Sequence, residues 1–111
     1  MSAVDYLKGY VNIFEAEEGT ESGDPTVFVN NPGAAQYADF DYSLVGSGAT
    51  ATVQVWKLSG GLGVTPGTWC KGWELSLTEG AHSVPLFIGG GTIGFTVTAN
   101  TGSLTGKVVW K

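Results

Sequence analysis

The stretch Tyr37–Val45, YADFDYSLV, followed by Gly46-Ser47-Gly48 and then Ala49–Leu58, ATATVQVWKL, decides the fold class. In the first run Phe40, Tyr42 and Leu44 alternate with Asp39, Asp41 and Ser43. In the second, Ala49, Ala51, Val53 and Val55 alternate with Thr50, Thr52, Gln54 and Trp56. Alternation with period two sends one set of side chains into a core and the other toward solvent, which is a half-buried strand. The short glycine-rich connection predicts that the two strands form a hairpin.

The same pattern extends both ways along the chain. Upstream, Thr26–Asn30 (TVFVN) reads as a short strand ended by the turn Asn31-Pro32-Gly33. Downstream, Ser59–Gly63 and Thr65-Pro66-Gly67 interrupt the alternation. Trp73, Leu75 and Leu77 then resume it, with Trp73 expected in the core. Val84–Ile88 is an apolar run whose Pro85 favours an edge or a bulge. After Gly89-Gly90-Gly91, Ile93, Phe95, Val97 and Ala99 alternate with Gly94, Thr96 and Thr98. Asn100–Ser103 reads as the turn of a closing hairpin that ends in Leu104–Trp110. The expectation is an all-β chain: an antiparallel β-sandwich or flattened barrel of about seven or eight strands, the eighth near Tyr10–Ala16.

Charge divides the chain. Residues 1–41 carry eight carboxylates against Lys8 alone, and EAEEGTESGD (Glu15–Asp24) has no apolar periodicity. Residues 1–25 are therefore read as an acidic, irregular N-terminal arm, and 26–111 as one sandwich domain. The acidic stretch reads either as a solvated loop or as an arm that docks on a basic surface of a neighbour, and its removal through residue 24 would leave a folded domain. Only 14% of residues are charged, so the surface is covered mainly by small polar residues, or in part by another molecule.

Composition excludes much chemistry. There is no arginine, and the net charge is −5, which argues against nucleic-acid binding. One cysteine, Cys70, permits no internal disulfide and reads as a small buried residue. One histidine, His82, reads as a loop residue, and with a single His and a single Cys no zinc spacing exists. Asp39 and Asp41 read as a solvated strand face rather than a catalytic pair. The glycine clusters are turns, since none opens a helix and no GK[ST] follows. No stretch approaches the roughly 18 apolar residues of a membrane span. The N-terminus lacks the basic-then-apolar order of a signal peptide, so a cytoplasmic, unprocessed product is expected. No catalytic residue, metal or cofactor is expected.

What remains is binding. Trp56 lies on the polar side of its strand, where it either packs beneath a loop or presents a platform; Trp69 flanks Cys70–Gly72. With Tyr10, Phe14, Glu15, Glu17 and Glu18 of the arm, these are the candidate partner-binding residues. The run from Ala49–Lys57 through Thr68-Trp69, Trp73–Thr78, the glycine triplet, Phe95–Asn100 and Thr101–Thr105 to Lys107–Trp110 resembles small β-sandwich accessory proteins of tailed-phage virions. The resemblance spans residues 40–110 and is one of strand style and Thr/Val/Gly bias. It implies a capsid decoration protein that binds a major capsid protein or another virion protein, localises to the virion and forms a homo-oligomer, a trimer by preference. The other readings are a carbohydrate-binding module or adhesin head that stacks glycans on tryptophan, and a tail or fibre subunit.

Overall fold

The computed structural model describes residues 9–31, 37–60, 67–87 and 91–110. The expected turn at Pro32-Gly33, the glycines at 61, 63, 89 and 90, and the first eight residues of the arm lie outside the described residues. Eight strands form: β1 (Tyr10–Glu17), β2 (Val27–Asn31), β3 (Tyr37–Val45), β4 (Thr50–Gly60), β5 (Gly67–Thr78), β6 (Gly80–Phe87), β7 (Gly91–Asn100) and β8 (Ser103–Trp110). They build two four-stranded antiparallel sheets, ordered β1-β8-β3-β6 and β2-β7-β4-β5. The all-β sandwich expected from the alternation is the observed architecture.

The connectivity differs from the expectation. β3 pairs with β6 and β8, not with β4, and β7 pairs with β2 and β4, not with β8. Neither predicted hairpin exists; both connections arch from one sheet to the other. Among the described strands only β4 and β5 are chain neighbours within one sheet. The first strand pairs with the last, the second with the seventh, the third with the sixth and the fourth with the fifth. This nested pairing is jelly-roll connectivity.

Local chemistry explains the arches. Gly46 and Gly48 sit at φ 145° and 65°, a region that suits glycine, and Ala49 N–H closes the turn on Gly46 C=O at 3.1 Å. The β7–β8 arch docks on it: Thr101 N–H donates to Thr50 C=O, and Thr50 N–H donates to Thr101 Oγ1, each at 2.9 Å. Gly102 makes that fit achievable, because a Cβ there would stand 2.5 Å from Val45 O and 2.8 Å from Ala49 Cβ.

The core is the sum of the inward sets. Phe40 of β3 stacks on Phe95 of β7 across the sandwich, with centroids 6.2 Å apart, and meets Phe14 edge-on at 6.3 Å. It sits on Gly106, where a Cβ would come within 2.6 Å of its ring. Tyr42 stacks beside it, and its hydroxyl accepts from Thr78 N–H at 3.2 Å, which ties the first sheet to β5.

Four local readings change. The eighth strand expected near Tyr10–Ala16 is β1, within the stretch also read as arm, and Ile13 and Phe14, the latter taken as a partner-binding candidate, are core residues. The irregular stretch is shorter, and it is tied down: Glu21 N–H donates to Val97 C=O at 2.8 Å, and Asn100 Nδ2 donates to Glu17 C=O at 2.9 Å. Truncation through residue 24 would thus remove a strand of the sandwich. Trp73 is 37% exposed rather than core, because β5 bulges. Trp56 pairs with Lys71 and Gln54 with Glu74, so Gly72 and Trp73 oppose Val55 alone and the alternation breaks there. Cys70 is exposed, and His82 lies in β6 with its ring 5.4 Å from that of Tyr42.

Two substitutions test this packing. Phe14→Ala should lower stability by about 3–5 kcal/mol, as for a core aromatic, where an arm residue would cost nearly nothing. Gly102→Ala should cost about 1–3 kcal/mol through overpacking of the two arches. Urea midpoints should fall in both variants with little change in slope; wild-type midpoints would contradict the assignments.

Candidate functional site

Each sheet presents one face to the outside, and the two faces differ. On the second sheet, Gln54, Trp56, Thr96 and Gly94 project outward from β4 and β7. Trp56 is nonetheless buried, at 8% exposure, and its Nε1–H donates to Thr96 Oγ1 at 2.9 Å. Lys71 Nζ stands 5.7 Å from the Trp56 ring. Gln54 Nε2 donates at 3.0 Å both to Val55 C=O and to Trp73 C=O, so it serves a carbonyl at the β5 bulge.

A ledge is built over Gly94. Pro25 and the Trp69 ring both press on this glycine, leaving no room for a Cβ. Trp69 then reaches Phe28, with ring centroids 6.1 Å apart and planes inclined by 50°. Phe28 is 47% exposed and Trp69 half-buried. Trp56 and Trp69, predicted as candidates, are therefore brought to one face. Trp56 is a packed, hydrogen-bonded residue there and offers no stacking platform.

The outer face of the first sheet is graded. At one end Tyr37 and Phe87 face each other across β3 and β6, 59% and 54% exposed, with centroids 5.2 Å apart and planes inclined by 59°. Tyr10 lies on β1 beside Val109, and Lys107 Nζ stands 5.1 Å from its ring centroid. The middle is polar: Asn12, Lys107 and Asp41 align across β1, β8 and β3, with Ser43 and Thr105 paired in the next row. Ser83 Oγ donates to Asp41 Oδ1 at 2.5 Å.

The remaining candidates scatter. Phe14 is core, a correction that follows from its place on β1 against Phe40. Glu15 and Glu18 are exposed, whereas Glu17 is half-buried and accepts Gly19 N–H at 3.2 Å. Sequence reasoning missed Phe28 and Phe87. Phe28 had a signal, since it lies between Val27 and Val29 and must face opposite to them. Phe87 had none, because Val84–Ile88 is apolar throughout.

Among the described residues no three His, Cys, Asp or Glu side chains group as metal ligands. His82 Nε2 lies 2.9 Å from Glu79 C=O, and Cys70 Sγ lies 3.8 Å from Thr68 C=O. No protein-family model, curated protein or solved structure matches the chain.

The Trp56 anchor is testable without a ligand. Thr96→Val keeps the shape but leaves the indole N–H buried without its acceptor. An unfolding free energy lower by about 1–3 kcal/mol is expected in denaturant titration; no loss would show that the bond is dispensable.

Proposed function

We propose that the chain is a non-catalytic structural subunit that docks on another protein through the apolar end of its first sheet. The observation that carries this reading is the Tyr37–Phe87 pair, two large aromatic side chains more than half exposed on neighbouring strands. Aromatic residues at such density are the usual anchors of protein interfaces. Their planes are inclined by 59°, which suits insertion between side chains of a partner better than stacking on a flat ring.

The strand edges support face-led docking. β6 carries Pro85, β1 has two register shifts against β8, β5 is bulged, and Glu21 lies along the β2 side of β7. Each device discourages edge-to-edge pairing.

The assembly we infer is a tailed-phage virion, with the chain as a capsid decoration protein that oligomerises around local three-fold axes of the lattice. Support comes from the resemblance of residues 40–110 to virion accessory proteins and from jelly-roll connectivity, an architecture shared by viral capsid and lectin domains; the latter is an argument by analogy. The exposed Glu15, Glu18 and Asp24 supply a second contact toward a basic neighbour. Glycan stacking on Trp56 is disfavoured by the burial of that ring.

Co-sedimentation with capsids assembled without the chain tests the reading. The double variant Tyr37→Ser/Phe87→Ser should keep its unfolding midpoint, as surface changes do within about 0.5 kcal/mol. Its binding to capsids should fall at least about tenfold, equivalent to about 1.4 kcal/mol. Undiminished binding, or no binding by the wild-type chain, would overturn the proposal.

A further inference from the structure

The polar middle of the first sheet's outer face is a depression of about 360 Å³, lined by Asn12, Asp41, Ser43, Thr105 and Lys107 with backbone of Tyr42 and Gly106. Its volume lies toward the small end of the range for ligand sites, roughly 300–1,000 Å³. Three neighbouring strands supply the side chains, and strands in a sheet lie about 4.8 Å apart. Asn12, Lys107 and Asp41 therefore stand in a row whose backbones have that spacing, with the Lys107 ammonium drawn toward the Tyr10 ring and the Asp41 carboxylate toward Ser83. The Ser43 and Thr105 hydroxyls form the next row on the same face, about 7 Å along the strands.

The hydrogen-bonding character of this grid restricts its ligand. Lys107 only donates, an ionised Asp41 only accepts, and Asn12, Ser43 and Thr105 do both. The lone lysine and aspartate leave the lining itself without net charge. A ligand that uses the whole grid needs several groups that each donate and accept, held at fixed spacing on a neutral, rigid frame. We propose that this depression binds the pyranose ring of a neutral sugar.

The site is pre-positioned. Asp41 is held by the Ser83 hydroxyl, and Lys107 is drawn over the Tyr10 ring at the rim. Side chains anchored on strands and by neighbours keep their geometry better than loop residues do. The groove is open to solvent, so a single ring should bind with millimolar affinity. The site is separate from the Trp56 face and from the Tyr37–Phe87 pair, and it does not rest on the capsid reading.

A titration of ¹⁵N-labelled protein with glucose, galactose, mannose and N-acetylglucosamine, followed by amide NMR shifts, tests the proposal. At least one sugar should give saturable shifts centred on Asn12, Asp41, Ser43, Thr105 and Lys107. Asp41→Ala should weaken that sugar about tenfold while the spectrum stays dispersed, and Lys107→Met should do the same if Asp41→Ala does not fold. The Tyr37→Ser/Phe87→Ser variant should bind the sugar as wild type does, which separates this site from the docking end. Absence of saturable shifts at these amides with all four sugars, shifts that map elsewhere, or undiminished binding by the groove variants would overturn it.

Discussion

The stacking of Phe40 on Phe95 is the contact on which the sandwich depends. Each ring is fully buried, and each belongs to a central strand of its sheet, β3 in one and β7 in the other. Phe40 also meets Phe14 and Tyr42, and it needs Gly106 beneath it. The edge strand β1 is thereby joined to the centre of the core through a single aromatic cluster. Aromatic pairs of this kind add to the burial of their area, and they fix the relative placement of the layers that carry them.

Away from the core, the two outer faces are finished in opposite ways. The second sheet's outer face is partly closed by protein: Pro25 and Trp69 press on Gly94, and Lys71 stands over the buried Trp56. The bulge in β5 is part of this closure, since Gln54 turns toward the carbonyl of Trp73 at the interrupted ladder. The first sheet's outer face has no comparable cover among the described residues. It leaves Tyr37 and Phe87 to solvent at one end and a polar depression in the middle. On the readings proposed above, this face would serve twice, with an apolar end for a protein partner and a hydroxyl-rich middle for a sugar. The arm is correspondingly less of an appendage than its charge suggests. Its first part is a strand, and its acidic remainder is strapped to β7 through Glu21.

Period-two alternation located most of the strands and many of their inward residues. Phe40, Tyr42, Leu44, Val53, Val55, Phe95 and Val97 could be placed by eye because a pleated strand offers only two faces. The same property hid the topology. A strand that turns back within its sheet and a strand that arches to the opposite sheet both keep their apolar sets inside, so the pattern around Gly46–Gly48 and Thr101–Ser103 is the same for either. Only the tertiary structure chose the arches, through Thr50, Thr101 and the space vacated at Gly102. It also decided the tryptophans. Trp73 left the core because one extra residue in β5 broke its alternation, and Trp56 was buried on a face that the pattern marks as solvent. Neither outcome can be read from the residue's own alternation. Each depends on what another segment places against it, and local sequence does not encode that.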